Sequence, residues 1–163
     1  MKDSAKATLS SVSHAFHGST GPAKFRFPES GWWSDWEGKD IARNLLDLDP
    51  VDIEYNDIIN PIDGSFVPAW TTDEVLVWLV PGMIRVVFEV DPPKGDILLQ
   101  SVFSELKKRM SKSELSLTQA QMACLLEVHE VFYCTEDFDW NPDNHAHPLC
   151  AALRHAINAN ANG

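Results

Sequence analysis

VLVWLVPGMIRVVF, residues 75–88, is the longest apolar stretch in the chain, and its shape decides the fold. Its fourteen residues, interrupted by Pro81, Gly82 and Arg85, fall short of the roughly 20 apolar residues that a bilayer span needs. The stretch is therefore a core element. Its β-branched residues and central Pro-Gly invite a hairpin, but Pro followed by Gly suits a type II turn, whose twist matches a two-residue hairpin poorly. A helix is the expected form. The residues before it agree: Thr71 can cap the first turn, and Glu74 can return a bond to the cap amide. Trp70 and Val75 can then close over that turn as a hydrophobic staple. The same grammar recurs at Leu117, Thr118, Gln121 and Met122.

Working outward, residues 118–134 place Met122, Leu125, Leu126, His129, Phe132 and Tyr133 on one face at helical spacing. Residues 97–110 do the same with Leu98, Val102, Phe103 and Leu106. That segment ends on Lys107, Lys108 and Arg109, whose charge suits a helix C-terminus. They read as a solvated helix end, with a phosphate-binding patch as the alternative. Residues 36–46 form a shorter helix with Ile41, Leu45 and Leu46 inward, stopped by Asp49-Pro50, since the residue before proline disfavours helix. Residues 4–17 offer a first helix with Leu9, Val12, Ala15 and Phe16 on one face, and residues 18–31 are loop-like. Residues 148–158 offer a last helix opened by proline. Pro92-Pro93 reads as a break between helices.

These segments predict an all-α, single-domain bundle of about six helices over residues 1–157, with a disordered tail at 158–163. An acidic loop lies between the second and third helices. It runs through Asp49, Asp52, Glu54, Asp57 and Asp63, with Pro61 and Gly64 as breakers, and its carboxylates are expected to stay in water.

The stretch WTTDEVLVWLVPGMIRVVFE (70–89), the preceding GKDIARNLLDLDP and the later LTQAQMACLLEVHEVF together resemble a family of small bacterial proteins catalogued as a domain of unknown function. That family shows a Thr-Pro-Glu opening followed by an aromatic helix with an internal proline. The likeness spans about half the chain. It departs at Thr72, where the family has proline, and in the longer acidic loop before Trp70. The resemblance implies a helical fold and a bacterial or phage origin, and brings no catalytic residues.

Charge is unevenly spread. Residues 35–96 hold fourteen acidic against four basic side chains, so this third carries -10 of the net -11. Such a field repels nucleic acid and anionic membrane surfaces and speeds encounter with basic proteins. The alternative is that the charge serves solubility alone. At 163 residues and 44% apolar, the chain can build one core. MKDSAKATLSSVSHAF, at the start, lacks the continuous apolar run of a secretory signal. Cys124, Cys134 and Cys150 are too few and too late for a disulfide framework, which fits a reducing compartment, expected to be a cytoplasm.

Chemical motifs are weak. In YCTEDFDWNPDNHAHPLC, eighteen residues hold Cys134, Asp137, Asp139, His145, His147 and Cys150. Two Cys and two His could take zinc, but no Cys-x-x-Cys pair occurs, and a polar interhelix loop is the plainer reading. A calcium loop is rejected because Pro142 replaces the turn glycine and Pro148 the bidentate acid. Cys124 lies within a helix, and His129 on an apolar face reads as a core histidine rather than a general base. Nucleophile-elbow, dinucleotide and phosphate-loop motifs do not occur. Acid pairs are too abundant to mark a general acid and base.

Trp32, Trp33 and Trp36 cluster before the acidic segment, and aromatics beside charges are frequent in binding hot spots; they could equally cover the core. The expected function is a non-enzymatic, cofactor-free binder of the immunity or inhibitor type, covering a basic surface of a bacterial toxin or effector. Its candidate partner-binding residues are Asp47, Asp49, Asp52, Glu54, Asp57, Asp63, Trp32 and Trp36. The alternatives are a metal-dependent enzyme using the Cys134 to Cys150 region, or a scaffold protein.

Overall fold

In the computed structural model, residues 2–17, 49–112, 115–134 and 148–161 are described. Six α-helices lie among them: α1 (Asp3–Ala15), α2 (Tyr55–Ile58), α3 (Asp73–Glu89), α4 (Pro92–Ser111), α5 (Gln119–Cys134) and α6 (Pro148–Ala161). A 3-10 turn, Val67–Trp70, precedes α3. The predicted all-α bundle is the fold observed. The expected helix at 36–46 and the loop at 18–31 lie outside the described residues, and the short helix α2 lies within the acidic segment.

The helix at 75–88 is real and central. Val75, Leu76, Leu79, Val80, Met83, Ile84, Val86, Val87 and Phe88 of α3 are all buried. A helix apolar on nearly every side must be surrounded, and α1, α2, the 3-10 turn and α4 all pack on this one. Interior Pro81 removes a helical hydrogen bond at a cost of about 3 kcal/mol. Burial outweighs it, since each large apolar side chain contributes about 1.5–3 kcal/mol.

Its start differs from expectation by one residue. The Thr71 hydroxyl donates to the Pro68 carbonyl at 2.6 Å and so closes the 3-10 turn. The cap passes to Thr72, whose hydroxyl accepts from the Val75 amide at 3.5 Å. The Thr71–Glu74 box is therefore not formed. The Trp70 side chain, and with it the staple, lies outside the described residues.

The second start holds as read: Gln121 N–H donates to Thr118 Oγ1 at 3.2 Å, and Thr118 N–H donates to Gln121 Oε1 at 2.9 Å. From there α5 buries Met122, Leu125, His129, Phe132 and Tyr133. On it packs α1, where buried Thr8 donates to Glu127 Oε1 at 2.8 Å. Helix α6 lies on α4 and α5 and continues through Ala161, so residues 158–161, expected in a disordered tail, are helical.

Pro92-Pro93 does stand at a break between helices, since α3 ends at Glu89, but the pair belongs to the second of them. It opens α4 five residues before the expected start, because a first-turn proline sacrifices only an N–H that has no helical acceptor. The α3–α4 corner is tight: a Cβ on Gly95 would lie 2.6 Å from the Val87 carbonyl oxygen.

Of the basic trio ending α4, Lys107 and Lys108 are exposed but Arg109 is only 6% exposed. Its Nε donates to Glu105 at 2.8 Å and its Nη1 to Asp73 at 2.7 Å, while Nη2 reaches the carbonyls of Pro68 and Ala69. The guanidinium thus ties α4 to the first turn of α3 and to the 3-10 turn. Arg109 is a structural clamp rather than part of a solvated end, while Lys107 and Lys108 face water as expected.

Candidate functional site

The acidic segment is an ordered loop rather than a solvated tether. Its polar side chains fold its own backbone: Asp49 accepts from Val51 N–H at 3.1 Å, Asp57 from Glu54 N–H at 2.8 Å, and Asp63 from Ser65 N–H at 2.9 Å. Asn60, itself buried, accepts from Ile62 N–H at 2.9 Å. The bonds of Asp49, Asn60 and Asp63 form side-chain turns, in which an Asp or Asn oxygen accepts from the amide two residues on, whereas Asp57 closes a capping box with Glu54 at the start of α2. Gly64 adopts φ 71°, a left-handed conformation that glycine reaches without steric cost, and its N–H donates to the Asn60 carbonyl at 2.8 Å.

Beneath the loop, Ile53, Ile58, Ile59 and Val67 are buried and anchor it to the core. Two contacts with α3 fix the near end: Arg85 Nη2 donates to the Ile53 carbonyl, and the Pro50 carbonyl oxygen lies where a Cβ on Gly82 would stand, 2.2 Å away.

On the outside, Asp49, Asp52, Glu54 and Asp63 are exposed, and Asp57 is half-buried. Among the described residues, no ion pair involves any of these five carboxylates. The first two basic side chains that follow the loop in sequence pair elsewhere: Arg85 with Glu89, and Lys94 with Asp91 at 3.0 Å. The hydrogen bonds from Ser65 hold the Asp63 carboxyl below its ordinary value, so it is ionised at neutral pH. Val51 and Ile62 are 67% and 77% exposed within the same loop. Composition and periodicity gave no sign of this, since only the turns decide which apolar residues face outward. Of the residues expected to meet a partner, five come together here, whereas Asp47, Trp32 and Trp36 lie outside the described residues.

A second polar cluster sits where α4 meets α5. Tyr133 donates its hydroxyl to Asp96 Oδ1, and Gln100 Nε2 donates to both oxygens of the same carboxylate at 3.1 and 3.2 Å. Burial first, and the Asp96 carboxylate second, push the Tyr133 phenol well above its ordinary value. Asp96 and Gln100 also line a shallow groove with Ile97, Ser101 and Ser104. Behind it, His129 is buried between Phe103, 6.2 Å away and nearly parallel, and Tyr133 at 4.8 Å. It is a core histidine, as expected.

Of the cysteine and histidine cluster, Cys150 is described. It is a buried free thiol, pushed up to about 11 by burial. The Cys134 side chain, His145 and His147 lie outside the described residues. Among the described residues no group of three or more His, Cys, Asp or Glu side chains could hold a metal ion. Likewise, no helix among them is long and apolar enough to cross a membrane. Comparison with protein-family models, with curated proteins and with solved structures gives no match.

Proposed function

We propose that the loop of residues 49–65 is the docking surface of a non-enzymatic binder for a basic protein, acting in a reducing compartment such as a cytoplasm. The reading extends to the immunity or inhibitor type, in which the partner is a toxin or effector whose cationic surface is covered stoichiometrically. The observation that carries it is the set of five loop carboxylates with no ion-pair partner among the described residues, with Val51 and Ile62 exposed between them.

Interfaces combine apolar anchors with a polar rim, and charge complementarity chiefly sets encounter rate and partner choice. Both parts are present on this loop. Charge used only for solubility needs neither adjacent apolar anchors nor an ordered backbone.

The loop geometry dictates how to test this. Asp49, Asp57 and Asp63 hold turns, so reversing them to Lys would remove backbone acceptors along with charge. Asn retains the acceptor. The triple variant D49N/D52N/D63N therefore removes three negative charges and leaves the turns intact. Wild type and variant are immobilised in parallel and exposed to lysate of the source organism at low salt, and retained proteins are identified by mass spectrometry. The reading predicts a basic protein held by wild type and lost from the variant. Retention indifferent to these three charges contradicts it.

A further inference from the structure

We infer that Gly82 and Arg85 are positioning residues that latch the acidic loop onto α3 and hold it in one conformation before any partner arrives. The inference rests on the docking reading for its purpose, but its geometry and its test are independent of any partner.

The two residues lie three positions apart in α3, on neighbouring turns of one face, and each meets the loop's backbone. At Gly82 the missing Cβ lets the loop approach: a methyl there would meet the Pro50 carbonyl oxygen at 2.2 Å, its carbon at 3.0 Å and Ile53 Cδ1 at 3.1 Å. Two of those atoms are backbone, so a larger residue cannot be accommodated by turning a side chain. At Arg85 the guanidinium donates to the Ile53 carbonyl from one arm and to Glu89 from the other. Glu89, one turn on, thus steadies the donor.

Pro81 beside Gly82 looks out of place in a helix, and so does a charged residue in the most apolar stretch of the chain. The latch accounts for Gly82 and Arg85 together. Glycine costs about 1 kcal/mol relative to alanine inside a helix, and a charged side chain is costly to bury unless it is paired. Both are suited to gripping a chain segment that crosses above.

The consequence is preorganisation. A loop already fixed loses little conformational freedom on docking, whereas a loose one must be ordered at the partner's expense. Asp52 and Val51 lie between the two latched positions, Pro50 and Ile53, so their side chains are presented from a backbone held on both sides.

Native-state hydrogen exchange on the full chain, without partner, tests this. The reporters are the loop amides bonded within the turns: Val51, Asp52, Glu54, Asp57 and Ile59. Arg85→Met keeps the apolar stem and removes the donor; Gly82→Ala improves helix propensity while pushing the loop away. Both variants should speed exchange at these amides by about tenfold or more, the factor that a lost bond from a charged donor is worth. Amides in the middle of α4 and α5 should keep their wild-type rates, and Arg85→Lys should recover part of the protection. Unchanged loop exchange in both variants overturns the latch. So does acceleration spread equally over α4 and α5, which would make the two residues part of the global core. Loss of docking with an intact latch would instead count against the proposed function.

Discussion

Tyr133, Cys124 and Cys150 are each kept protonated chiefly by burial, and all three therefore link stability to pH with the same sign. The Cys124 thiol is pushed up to about 12 and the Cys150 thiol to about 11, from an ordinary 9.0, and Tyr133 also moves upward. A native state that holds protons more tightly than the unfolded chain is fully stabilised below the unfolded-state values and loses that stability as pH rises through the folded ones. The urea midpoint should be insensitive to these groups up to about pH 9 and fall steadily between about pH 9 and 12; a flat profile over that window contradicts the burial described. Removing one hydroxyl is a finer probe. Tyr133→Phe leaves Asp96 its two contacts from Gln100 and should cost about 1 kcal/mol by denaturant titration. Little of this was legible beforehand. Tyr133 and His129 could be placed on an inner face by spacing, but the Tyr133–Asp96 bond joins residues 37 positions apart and depends on how α4 packs against α5.

At the level of elements, the stretches that announced themselves were those in which apolar spacing and a cap agreed. Helix α5 is the clearest case, and Thr118→Ala should remove about 1 kcal/mol by deleting its capping oxygen, checked by thermal or chemical unfolding. Where tertiary contacts compete for the same groups, local sequence does not decide the outcome. Thr71 is spent on the preceding turn, and a proline pair that could end a helix begins one. Arg109 is the sharpest instance, because three adjacent basic residues look alike in sequence while one of them is buried in a clamp. Arg109→Met leaves buried Glu105 with only its Lys108 contact at 3.2 Å and should destabilise by about 3 kcal/mol, whereas adding Glu105→Leu should recover much of the loss. Unfolding free energies of the single and double variants decide this; additive losses would contradict a coupled network. The acidic segment was legible as a loop with solvated carboxylates, but not as one bearing a short helix, side-chain turns and two exposed apolar tips.

At the scale of the whole molecule, most of the charge lies in the middle third of a chain whose core is otherwise a continuous helical bundle. An attractive field of this kind raises association rates and fades with salt, because the Debye length shrinks to about 3 Å at 1 M. The docking account therefore makes a kinetic demand on the protein captured by the loop. Association rates should be measured by stopped flow for wild type and D49N/D52N/D63N over a series of salt concentrations. The account predicts that the variant associates about tenfold more slowly at low salt and shows a flatter salt dependence, with unfolding midpoints unchanged. Identical rates and identical salt slopes for the two proteins would contradict it.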